Sequence, residues 1–149
     1  MATPPDDPVR WAVLPGSILV GRLIAAAPGQ SPWLEFSGNR PGLLSLGIFL
    51  LWMHNDSANA GLTITGLPFV AVEGALSLRV VDESGENQES VRRTDKDRQF
   101  EWLVTEDRLQ MGALSILDLA FAPDGYHPGY YDPSLTSGSD AQLVFRRST

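Results

Sequence analysis

The chain has 149 residues, of which 43% are apolar and 19% charged, with a net charge of −7 and no cysteine. That length suits one domain with its own core, and the missing thiols exclude disulfides, thiolate chemistry and thiolate zinc sites. The acidic balance argues against nucleic acid as a partner, because phosphate binding needs a cationic face.

Residues 1–16 read as an extended N-terminal arm. Pro4, Pro5 and Pro8 disfavour helix there, and the segment lacks the basic and apolar regions of a secretory leader. Residues 17–149 read as a single β-sandwich domain. Ser17 to Ala25 is a strand by its β-branched and leucine content. Pro28 to Pro32 is a turn, and Trp33 to Phe36 a short strand. Asn39-Arg40-Pro41-Gly42 reads as a second turn.

Leu43 to Met53 is nearly all apolar. It fits a strand buried on both faces, in a sandwich core or at a subunit interface. It is too short to span a bilayer as a helix, so no membrane insertion is expected. Residues 55–61 form a polar hairpin loop, and Gly61 to Thr65 returns as a strand ending in the tight apolar corner Gly66-Leu67-Pro68-Phe69. Leu76 to Val81 alternates cleanly. Asp82 to Ser90 reads as an acidic loop, and Arg92, Arg93, Lys96 and Arg98 as its solvated continuation. Phe100 to Val104 is a strand. Met111 to Phe121 fits a bulged strand better than a helix, and Ala141 to Arg147 closes the chain with Leu143 and Phe145 inward. About eight strands at turn-marked spacing predict an all-β antiparallel sandwich of jelly-roll type. No internal repeat of fixed period is evident.

Gly61-Leu62-Thr63-Ile64-Thr65-Gly66-Leu67-Pro68-Phe69, preceded by the apolar run and the polar turn, resembles a motif of bacteriophage tail-fibre and receptor-binding domains. The resemblance covers residues 42–72. It implies a non-enzymatic virion protein, assembled in the host cytoplasm as a homotrimer, that contacts host-surface glycan. The short arm would meet other virion proteins, in the tail or as a capsid decoration or head spike. Leu50, Trp52 and Trp11 are the candidate contacts between subunits. The competing class is a stand-alone carbohydrate-binding module or a small sandwich enzyme.

The candidate ligand site is the segment Asp124, Tyr126, His127, Tyr130, Tyr131 and Asp132, which holds every tyrosine of the chain. Tyrosine offers a flat face to a sugar ring and a hydroxyl to hydrogen-bond, and loops on a rigid scaffold carry binding sites. The alternative is that these rings pack the loop onto the sandwich or an interface. No catalytic residue, metal ligand or cofactor is expected. His54 and His127 lack zinc spacing, the acids of 82–89 do not match a calcium loop, and no nucleophile elbow or phosphate loop is present.

Overall fold

A computed structural model describes residues 13–55, 63–82, 89–94, 98–123, 130–133, 135 and 139–148, with the backbone alone of 53–55 and 82. The elements in chain order are β1 (Leu19–Ile24), β2 (Trp33–Gly38), α1 (Arg40–Asn55), β3 (Val70–Val72), β4 (Ser77–Asp82), β5 (Ser90–Arg93), β6 (Gln99–Val104), α2 (Glu106–Phe121), β7 (Tyr130–Tyr131) and β8 (Gln142–Arg147). One sheet has the order β3-β1-β2-β8-β7 and the other β4-β6-β5. Both are mixed. Pairs β1–β2, β7–β8 and β5–β6 are antiparallel, while β1–β3, β2–β8 and β4–β6 are parallel.

The expected all-β antiparallel sandwich is therefore corrected. The protein is rich in sheet, but two helices of 16 residues stand where strands were expected. Leu43 to Met53 belongs to α1. An apolar run fits a strand buried on both faces and a helix buried all round equally well. The residues before it decide the matter. Asn39 Oδ1 accepts from the Gly42 amide at 2.9 Å, and the Leu43 amide bonds the Asn39 carbonyl at 3.0 Å. Asn39 is thus the N-cap, and Pro41 lies in the first turn, where its missing donor costs nothing. The expected turn Asn39–Gly42 is the start of the helix.

Met111 to Phe121 is the greater part of α2. Thr105 caps it, accepting from the Arg108 amide at 3.3 Å, and Glu106 and Asp107 place negative charge in the first turn. At the other end Arg40 Nε donates to the Ala120 carbonyl at 2.8 Å, and Arg147 donates to the Ala122 carbonyl. Two guanidinium groups so neutralise the negative pole of the helix.

The two helices pack on each other. A Cβ on Gly47 would lie 2.6 Å from Leu117 Cδ2 and 3.3 Å from the Ala113 carbonyl oxygen, so only glycine lets α2 approach this closely. A structural repeat underlies the crossing. Each boundary of β2 and α1 recurs 66 positions later in β6 and α2, 33 at 99, 38 at 104, 40 at 106 and 55 at 121. Under that offset the N-caps Asn39 and Thr105 coincide, as do Gly47 and Ala113, which touch. Glu35 and Glu101 coincide too, and each faces an arginine across its hairpin, Arg22 and Arg92.

Thr63 to Thr65 is not a strand. Thr63 makes a single bridge to Arg79, Thr65 Oγ1 accepts from the Leu78 amide at 3.2 Å, and Ile64–Gly66 is a 3-10 turn. The segment covers the free edge of β4. Ile64 and Leu67 plug into the core, and the Phe69 carbonyl accepts from Leu19 to lay β3 beside β1. The apolar corner expected after it is present, and it joins the two sheets. Part of the expected solvated loop is β5, whose Val91 is buried opposite Trp102. The hairpin at 56–61 and most of the acidic loop lie outside the described residues.

Between the sheets and helices lies one core. Phe145 sits at its centre, with ring centroids 5.7 Å from Phe36, 5.8 Å from Trp102 and 6.2 Å from Tyr131. Each such fully buried side chain contributes about 1.5–3 kcal/mol of transfer free energy. Leu50, expected between subunits, is fully buried in this core and has no surface left for a neighbour. Trp52 is half-buried against the same core, and Trp11 lies outside the described residues. The end of the expected arm docks on α1, where the Leu14 amide donates to Ser45 Oγ at 2.9 Å.

Candidate functional site

The C-terminal half of α2 and the edge strand β7 enclose an open groove of about 500 Å³. Ser115, Asp118, Leu119, Phe121, Ala122, Pro123, Tyr130 and Tyr131 line it. The pleat of β7 sends its two tyrosines to opposite faces of the sheet. Tyr131 pairs with Phe145 and turns into the core, while Tyr130 pairs with Arg146 on the outer face.

Tyr130 is 48% exposed. The Arg146 guanidinium lies over its ring, 5.9 Å from the centroid. Arg146 is held in turn by Glu35 at 3.1 Å, and Glu35 also meets Arg22 at 3.7 Å. The Tyr130 ring is thus a platform fixed from one side by a cation. Phe121, the last residue of α2, is 67% exposed at the same groove.

Beneath the groove lies a buried polar cluster. The Tyr131 hydroxyl passes over Gly112, where an added Cβ would stand 3.5 Å away. Glu89 is only 3% exposed and accepts from Trp102 Nε1 at 2.7 Å. Burial pushes the Glu89 carboxyl above its ordinary value, although the Trp102 hydrogen bond and the Arg108 charge both oppose the rise. Burial also pushes the Tyr131 hydroxyl up to about 12, with Glu89 adding to the shift and Arg108 working against it. Partial desolvation raises Asp132. The cluster therefore anchors the groove floor and resists ionisation at Tyr131.

Of the residues expected at the site, Tyr130 and Tyr131 line the groove. Asp132 follows them and does not line it, and Asp124, Tyr126 and His127 lie outside the described residues. Ser115, Asp118 and Phe121 were not foreseen, because a strand reading of 111–121 scatters them over two faces. Glu89 was placed in a solvated loop. The signal that finds the first three is Thr105-Glu106-Asp107, an N-cap with an acidic first turn, followed by apolar residues at 109, 113, 116 and 120. Among the described residues, Asp118 is the carboxylate that lines the groove, and no cluster of three metal-ligating side chains occurs.

A second recess lies around Gln30, Ser31, Arg93, Ser139 and Asp140. Its polar groups are already engaged in closing the edge of β5. Ser139 Oγ accepts from the Val91 amide at 3.1 Å and Asp140 Oδ2 from the Arg93 amide at 2.8 Å. The α2–β7 groove is the better candidate, because its rings and its carboxylate are open. No family model matches the chain, and no curated protein or solved structure is significantly similar to it.

Proposed function

We propose that this chain is a non-enzymatic binding domain that takes a carbohydrate in the groove between α2 and β7. One observation carries the reading. Two exposed aromatic rings, Tyr130 and Phe121, border the same open groove as the Asp118 carboxylate and the Ser115 hydroxyl. A sugar ring offers an apolar face of C–H groups and a rim of hydroxyls. Aromatic planes take the first, and the open Asp118 carboxylate takes the second, while Ser115 Oγ already donates to the Met111 carbonyl at 2.9 Å. Because Arg146 already holds Tyr130, little side-chain entropy is lost on binding.

The likeness of residues 42–72 to phage receptor-binding domains supports a further step. Such a domain belongs on a virion, as a homotrimer that reaches host glycan and holds other virion proteins through its arm. With Leu50 inside the core, a trimer would not use that side chain, whereas the half-buried Trp52 keeps surface to offer.

A glycan array followed by calorimetry tests the sugar reading. Tyr130→Ala is expected to keep the fold and to weaken a bound glycan about tenfold or more, which is about 1.4 kcal/mol. Loss of no affinity on Tyr130→Ala, or a blank array, would refute it. Light scattering tests the virion step, with a mass near three times 16.2 kDa expected and a monomer counting against it.

A further inference from the structure

Residues 107, 111, 114, 118 and 121 succeed one another at steps of four and three, so they form one stripe along α2. The opposite side, with Leu109, Ala113 and Ile116, is buried. Along the stripe Met111 is 61% exposed, Leu114 49% and Phe121 67%, and no described element covers them. Scattered apolar residues on a surface need no explanation, but here three share one helix face, Met111 beside Leu114 and Phe121 beyond Asp118. Asp107 and Asp118 sit within that stripe, and Glu106 and Gln110 are exposed beside it. The sole cation of α2, Arg108, is half-buried and is directed to the Glu89 and Tyr131 cluster.

From this pairing of features we infer that the stripe docks a basic amphipathic helix of another protein. Apolar side chains of the partner seat against Met111, Leu114 and Phe121, while its lysines or arginines meet Asp107 and Asp118. The stripe runs about 21 Å, some four helical turns, which is the length such a partner presents. Met111, next to the central Leu114, adapts to varied apolar anchors. A second copy of the chain is the poorer occupant, because it carries the same net charge of −7 and offers no cation along its own stripe. An anionic membrane is poorer for the same reason. The net charge of −7 draws a basic partner from a distance. Asp118 and Phe121 border the groove as well, whereas Met111 and Leu114 do not, so Leu114→Lys separates the inference from the carbohydrate reading.

The test uses the isotope-labelled full chain and a helical peptide of leucine and lysine, about 18 residues or five turns long. Its leucine–glutamate counterpart serves as control. The lysine peptide is expected to shift amide resonances of residues 106–121 and to bind more weakly as salt rises from about 0.05 to about 0.3 M. Leu114→Lys and Asp118→Lys, both on exposed positions, should each weaken it about tenfold while leaving circular dichroism unchanged. The inference is overturned by any of four results. These are no binding, shifts centred outside α2, equal binding of the glutamate peptide, or partition of the chain itself to anionic vesicles. Self-association of the chain that Leu114→Lys abolishes would likewise overturn it, in favour of a second copy.

Discussion

Substituting alanine at Gly47 tests the helix crossing directly. The new Cβ would stand 2.6 Å from Leu117 Cδ2 and 2.7 Å from Leu117 Cγ. Rotating the end of that leucine is not enough, because Cγ is as close as Cδ2, so the whole side chain or the helix must move. In an uncrowded helix the change from glycine to alanine gains about 1 kcal/mol. Overpacking of this kind costs about 1–3 kcal/mol. Gly47→Ala should therefore destabilise the protein by about 1 kcal/mol. Leu117→Ala removes a half-buried side chain and should cost about 1–2 kcal/mol alone. With Leu117 shortened, the Ala113 carbonyl oxygen at 3.3 Å is the one of the three nearest atoms that remains beside the new methyl. Gly47→Ala then recovers its propensity gain and becomes stabilising. The double variant should be more stable than the two single changes predict, by a coupling of about 1–2 kcal/mol. Urea unfolding of the four proteins, followed by helical circular dichroism at a common m-value, measures that cycle. Additivity within about 0.5 kcal/mol would refute the crossing geometry.

Further predictions concern the buried carboxylate and the helix caps. Glu89 is raised in the folded state, so its contribution to stability is full below its unfolded value near 4.5 and is lost as pH rises through the folded value. Glu89→Gln keeps an acceptor for Trp102 and removes that loss. Its stability relative to the parent should rise between pH 4 and pH 7, and a difference that does not vary with pH would contradict the burial of the charge. Asn39 serves the Gly42 and Ile18 amides and donates to the Gly16 carbonyl, whereas Thr105 serves Arg108 alone among the cap bonds described. Asn39→Ala should cost about 2 kcal/mol and Thr105→Ala about 1 kcal/mol, so equal losses in a denaturant titration would argue against the added role of Asn39.

The period-two segments were legible because each buries one face only. Leu34 and Phe36, and Leu78 and Val80, alternate with less buried neighbours and stand in strands as expected, as do Leu143 and Phe145, although Val144 between them is buried too. The helices were not legible, for two different reasons. In α1 the residues are buried nearly all round, so no period survives, and Gly47 looks like a breaker when it is a contact. In α2 the helical period is present, but it starts at the Thr105 cap, ahead of the apolar run 111–121 that by itself also fits a bulged strand. The 66-residue repeat is invisible to residue identity. It conserves places such as cap, ion pair and crossing, which Asn39 and Thr105, or Gly47 and Ala113, fill with different chemistry. Half of the candidate site followed the same fate. Its tyrosines were found by composition, but Ser115, Asp118 and Phe121 meet them only once residues 106–121 coil.

The position of β8 shapes how the protein must be made. It follows every other element in chain order, yet it lies inside the five-stranded sheet, bonded to β2 on one side and β7 on the other. While the chain emerges from a ribosome, β1, β2 and both helices are available long before the strand that completes them. Until Phe145 arrives, Phe36 and Trp102 lack the ring that packs between them, and β2 presents an unpaired edge. The nascent chain thus carries an adhesive edge from the synthesis of β2 until that of β8. Removal of residues 142–147 would leave that edge open, so the pairing of β8 with β2 is the step that closes it.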